Sequence, residues 1–130
     1  MFQLQALDHV ALSVNDVERS ARWYIDILGF ELQHADLWDG VPVFIGKGGA
    51  SIALFPAKPN AEARSTSSSR GETRILHFAF RADRENFLAA QSELKKRGLE
   101  FEFQDHEISH SIYFHDPDHH QIEITTYELK

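Results

Sequence analysis

The strongest constraint on how this chain folds is that its order of elements occurs twice. Leu7 to Val14 alternates, with Val10, Leu12 and Val14 on one face and His9, Ala11 and Ser13 on the other, the period of a half-buried strand. Asn15 or Asp16 is placed to cap a helix over about Val17 to Leu28, whose apolar positions recur at helical spacing, and Gly29 ends it. Three strand-like runs follow, Phe30–Trp38, Val41–Lys47 and Ala50–Phe55, separated by Asp39-Gly40 and Gly48-Gly49. At Ile75 the order restarts. A strand to Arg81 puts His77, Ala79 and Arg81 on one face, and a helix from about Arg84 to Arg97 is stopped by Gly98. Strands at Leu99–Gln104, Ser111–His115 and Gln121–Tyr127 complete the copy, the last two joined by the turn Asp116-Pro117-Asp118-His119.

The copies superpose with small drifts that single-residue changes in turns explain. His9 falls on His77, Gly29-Phe30-Glu31 on Gly98-Leu99-Glu100, and Ile52-Ala53-Leu54 on Ile122-Glu123-Ile124. The expectation is an α+β chain forming a single domain of paired βαβββ modules that build a curled mixed sheet. The modules cover about 4–56 and 74–128. A polar loop, 57–73, joins them; it is rich in Pro, Ser, Ala and charge, and Ser65–Ser69 reads as disordered.

Composition narrows the function. With 13 basic against 20 acidic residues the net charge is −7, which repels phosphate backbones, so no nucleic-acid partner is expected. No basic run suits a lipid headgroup and no apolar stretch approaches the roughly 18 residues a spanning helix needs, so no membrane partner is expected either. Met1 to Val10 has neither the basic start nor the apolar core of a secretory signal, and the expected location is cytoplasmic. Cysteine is absent, which excludes disulfides, thiolate zinc sites and a cysteine nucleophile. Any metal must be held by His, Asp or Glu, and there are eight histidines.

Two of those histidines, His9 and His77, occupy the same position in the two copies, on the face opposite the branched apolar residues. Glu123, between Ile122 and Ile124 in the last strand, points the same way if the sheet curls. Two imidazoles and one carboxylate then converge. Such a set leaves about three of six octahedral positions open and suits Fe(II), Mn(II) or another divalent ion that handles a bidentate ligand. The counterpart of Glu123 in the first copy is Ala53, so a fourth protein ligand is missing there.

The runs LDHVALSVNDVERSARWYIDILGFE, ILHFAFRADRENFLAAQSELKKRG and SIYFHDPDHHQIEI resemble the vicinal oxygen chelate superfamily, which includes glyoxalase I, fosfomycin-resistance proteins, extradiol dioxygenases and bleomycin-resistance proteins. The likeness covers nearly the whole chain outside the central loop. It implies that His9, His77 and Glu123 are metal ligands, with Fe(II) or Mn(II) foremost and Zn(II), Ni(II) or Co(II) compatible. It also implies a small-molecule substrate with vicinal oxygens and a homodimer, in many members with site ligands from both chains.

Within the superfamily the residues discriminate among reactions. A glyoxalase-like lyase resembles a four-ligand site whose first-copy carboxylate also moves protons, and Ala53 has no titratable group for that; Glu62 and Glu72 lie in the loop. A fosfomycin-resistance-type transferase resembles the final hairpin here, Ser111 to Phe114 followed by Asp116-Pro117-Asp118 and Glu123. Those proteins usually follow the glutamate with His-Thr-Gly and phosphonate-binding residues, whereas Ile124 to Lys130 builds no cationic pocket; Ala11 also stands where they often carry a threonine. Extradiol dioxygenases carry a histidine seven to nine residues before a tyrosine that precedes the metal glutamate by ten. His106, Tyr113 and Glu123 satisfy both spacings, with Gln104 and His119 as departures from the signature. This resemblance implies that His106 shuttles a proton and Tyr113 hydrogen-bonds the substrate, with His110 as a rival for the acid–base role. Extradiol-like chemistry is therefore preferred. A bleomycin-type binding protein without catalysis is the remaining alternative, with Trp38, Phe44 and Phe55 available to line an aromatic pocket and Trp23 expected in packing.

Overall fold

A computed structural model describes residues 1–58, 71 and 73–130. Most of the expected loop, with Ser65–Ser69, Glu62 and Glu72, lies outside the described residues. The chain divides into two compact units, Met1–Pro59 and Asn60–Lys130.

The first unit runs β1 (Val10–Val14), α1 (Val17–Leu28), β2 (Glu31–Gln33), β3 (Val43–Lys47) and β4 (Ala50–Pro56), with a short 3-10 turn at Trp38–Gly40. The second repeats it as β5 (Phe78–Arg81), α2 (Arg84–Lys96), β6 (Glu102–Asp105), β7 (His110–His115) and β8 (Gln121–Thr126). Each unit makes a four-stranded mixed sheet of the same topology, β1-β4-β3-β2 and β5-β8-β7-β6. The first and last strands of each module pair in parallel and the rest are antiparallel. This is the α+β fold of paired βαβββ modules expected from the repeat.

Local chemistry sets the helices. Asp16 caps α1 by accepting from the Arg19 N–H, and Gly29 at φ 69° closes it with its N–H on the Tyr24 carbonyl. Asp83 caps α2 through the Asn86 N–H, and the Leu99 N–H closes onto the Leu94 carbonyl. Both helices cover one face of their sheet. Leu12, Val14, Tyr24, Ile45, Ile52 and Leu54 are buried in the first unit, and Phe87, Leu94, Ile112, Phe114, Ile122 and Ile124 in the second.

Several strands are shorter than their hydrophobic pattern. The opening strands begin at Val10 and Phe78 rather than Leu7 and Ile75, because the ladders start at Val10 opposite Ile52 and Phe78 opposite Ile122, where β4 and β8 have just left their hairpin turns. His9 and His77 therefore each stand one residue ahead of a strand. The run Phe30–Trp38 keeps only Glu31–Gln33, since His34 turns out of the strand at φ 53° and Trp38 and Asp39 also have positive φ. β6 is displaced to Glu102–Asp105, the four residues that pair with β7 from Tyr113 back to His110.

Candidate functional site

The face of the second sheet turned away from α2 carries the candidate side chains Tyr113 and Glu123, because alternation sends Ile122 and Ile124 inward and Glu123 outward. Across the ladder Glu123 stands between Tyr113 on β7 and Ala79 on β5. Glu123 is 12% exposed and Oε1 lies 2.8 Å from His77 Nε2. Ser111 Oγ donates to Oε2 at 2.6 Å and is itself 3.0 Å from Thr125 Oγ1. Both carboxylate oxygens are thus held in fixed directions.

Tyr113 packs edge-on against the His77 ring, with 5.6 Å between centroids. Its hydroxyl lies 3.1 Å from His106 Nε2. Burial, and then the charge of Glu123, push the Tyr113 phenol above its ordinary value, so it stays a neutral donor at physiological pH. His106 is set by the turn after β6, where its N–H bonds the Ser109 carbonyl and the Glu107 N–H caps onto Asp105 Oδ1. His110 goes elsewhere. Its Nε2 is 3.6 Å from Asp105 Oδ2 and its ring lies against Phe103 at 5.2 Å. Of the two candidate acid–base histidines, His106 is the one on Tyr113.

His9 belongs to the first unit. Its Nδ1 lies 2.8 Å from Asp8 Oδ2 and its ring sits edge-on against Phe44 at 5.1 Å. His34 and Trp38 pack on the same phenyl ring, at 5.5 and 5.4 Å. The two units mirror one another here. Phe44 pairs with Ala53 as Tyr113 pairs with Glu123, and His9 meets Phe44 as His77 meets Tyr113. The second copy alone adds the hydroxyl and the carboxylate. Trp23 is half-buried with its ring on Tyr24 at 4.9 Å, in packing as expected, and Phe55 is exposed at the end of β4.

Among the described residues no group of three His, Asp or Glu side chains is gathered to hold an ion. Two donors are together, His77 and Glu123, and His9 stands on the other unit. The donor set fits a divalent metal: an imidazole nitrogen faces a mostly buried carboxylate oxygen, and Ser111 orients the other oxygen. Sequence reasoning missed Ser111 as the group that orients Glu123, and His34 in the aromatic cluster. The alternation of β7 and β8 places Ser111 on the face of Glu123 and is the signal for it; nothing in the sequence marks His34.

Residues 6–124 match the sequence model of the Glyoxalase/Bleomycin resistance protein/Dioxygenase superfamily. The chain is 32% identical to the metallothiol transferase FosB of Staphylococcus epidermidis, across 98% of its own length and 86% of that protein. It is 25% identical to the catechol-2,3-dioxygenase of Bacillus subtilis, across 91% of its own length but 40% of that longer protein. In fold it is similar to the lactoylglutathione lyase of Agrobacterium tumefaciens, with a TM-score of 0.72 over 95% of this chain and 94% of that one, at 22% identity.

Proposed function

This chain belongs to the Glyoxalase/Bleomycin resistance protein/Dioxygenase superfamily, and from that premise we propose that it is a divalent-metal enzyme acting on a small substrate with adjacent oxygens, by extradiol-dioxygenase-like ring cleavage. One observation carries the choice of reaction: the hydroxyl of Tyr113, itself across the ladder from Glu123, is 3.1 Å from His106 Nε2. A phenol and an imidazole in contact beside a carboxylate make a proton path next to the place where substrate oxygens would bind.

In this reading His9, His77 and Glu123 hold the ion, Fe(II) or Mn(II) by preference, and the active form is a homodimer. The bound ion supplies Lewis-acid stabilisation of negative charge on the substrate oxygens and, as Fe(II), a means of using dioxygen. The remaining work falls to side chains. His106 accepts a proton from a substrate hydroxyl, and Tyr113, kept neutral, donates a hydrogen bond to the oxygen that becomes charged. Ser111 keeps Glu123 in one orientation through the cycle. Protein loaded anaerobically with Fe(II) and then given catechols should consume oxygen and release a coloured ring-opened product. His106→Ala should lower kcat by about 10²-fold or more with a smaller change in KM. Silence across a catechol panel sinks this reading.

A second reading is favoured by the greater identity to FosB, over most of that protein's length. In it the same three ligands serve addition of a thiol to a small phosphonate epoxide. Thiol consumption with fosfomycin and Mn(II), without oxygen uptake, would replace the first reading. Stoichiometric binding of an aromatic ligand with neither reaction would instead favour a binding protein.

A further inference from the structure

We propose that His115 and His119, at the tip of the β7–β8 hairpin, form a second and exposed site for a borderline divalent cation such as Zn(II), Ni(II) or Cu(II). β7 ends at His115 and β8 begins at its ladder partner Gln121, so residues 116–120 must reverse the chain tightly. The buried carboxylate of Asp116 organises that reversal. Oδ1 accepts from the backbone N–H of Asp118 at 2.9 Å and of His120 at 2.8 Å, and Oδ2 lies 2.7 Å from His120 Nδ1. Backbone bonds from the His119 N–H to the Asp116 carbonyl and from the Asp116 N–H to the His120 carbonyl close it.

The result is a left-handed backbone at His119, φ 68°, a conformation that glycine adopts freely and histidine does not. The strained position carries an imidazole, and that imidazole is not idle. Its centroid is 5.3 Å from that of His115, with the planes 57° apart. A zinc ion roughly 2 Å from one nitrogen of each ring, at a tetrahedral angle, separates ring centres by roughly 5 Å. Both rings are exposed, whereas His120 has a ring nitrogen committed to Asp116. Two protein donors on a rigid turn, completed by water, make a bidentate site, and the net charge of −7 attracts cations to it. An imidazole pair selects Zn(II), Ni(II) or Cu(II) over Mg(II) or Ca(II), which prefer oxygen.

The test is calorimetric titration of Zn(II) into wild type, Glu123→Ala, and each of these carrying His119→Gly or His115→Ala, followed by imidazole resonances in heteronuclear NMR. Glu123→Ala should still bind one zinc per chain. Adding His119→Gly or His115→Ala should weaken that binding at least tenfold, and the resonances of His115 and His119 should be the ones that move. His119→Gly suits the backbone it replaces, so loss of binding there is not loss of fold. Should Glu123→Ala fail to fold, the same substitutions in wild type should lower the stoichiometry by one. The outcome is separate from that for Glu123: if no ion binds at Glu123, wild type binds a single zinc that His119→Gly removes. Unchanged zinc affinity in Glu123→Ala with His119→Gly, or movement of other histidines only, overturns the proposal.

Discussion

Glu123 matters through what surrounds it. Its two oxygens are directed at different partners, His77 and Ser111, so the carboxylate is oriented before any ion arrives. Substituting Glu123→Gln should lower divalent-ion affinity by more than about 10²-fold, since the donor charge is lost, and Ser111→Ala should lower it by about 10–100-fold through loss of orientation alone. Calorimetric titration with Mn(II) reads both, and equal affinities in the two variants would show that Ser111 does more than orient. At His119 the residue scale makes an opposite kind of prediction. His119→Gly should raise the stability of the metal-free protein by about 0.5–1 kcal/mol, because the left-handed backbone no longer costs energy, and urea denaturation measures it.

At the scale of elements, helices and strands differ in where their limits are written. The helices end where nearby residues make them end: Asp16 and Asp83 satisfy the free N–H groups, and Gly29 turns left-handed. Such signals are local, and α1 begins and stops at the residues read from the sequence. Asp16→Ala should cost about 1 kcal/mol in thermal or chemical unfolding. Strand limits depend on a partner. β6 starts at Glu102 rather than Leu99, because its ladder with β7 begins at the Glu102–Tyr113 pair, a fact of register and not of alternation. The β3–β4 hairpin shows the same dependence. A Cβ on Gly46 would run into the backbone carbonyl of Ala50 and the Ser51 side chain, so Gly46→Ala should destabilise the first unit by more than about 2 kcal/mol. A small change in the unfolding midpoint would mean that the hairpin opens to admit the methyl group.

At the scale of the whole molecule, the proposed function gives His9 and the His77–Glu123 pair one ion to hold. If the three form one metal site, His9→Ala and His77→Ala should weaken metal binding by similar factors, each about 10²-fold or more, although the residues lie on different units. Loss in His77→Ala alone would leave a site confined to the second unit. Sedimentation of wild type with and without Mn(II) reads the expected homodimer, and a monomer under both conditions would remove it from the proposed function. No helix among the described residues is long and apolar enough to cross a membrane, in keeping with the absence of long apolar runs.

Much of this was legible from the residues themselves. Internal repetition determined the order of elements and the equivalence of His9 with His77 and of Ala53 with Glu123, because a module that must bury the same helix against the same sheet repeats its apolar period and its caps. Alternation alone placed Glu123 on the face away from Ile122 and Ile124. What only tertiary structure decided depends on distances between residues far apart in the chain. The choice of His106 over His110 as the partner of Tyr113 follows from how the turn after β6 and the register of β7 bring rings together. Ser111 became the anchor of Glu123 for the same reason. The left-handed His119 rests on the hydrogen bonds of a buried Asp116; the sequence marks the position as a departure from the extradiol signature but not the bonds that hold it. Periodicity encodes which face a side chain takes; a hydrogen bond needs a position good to a fraction of an ångström, and that is settled only when the strands have paired.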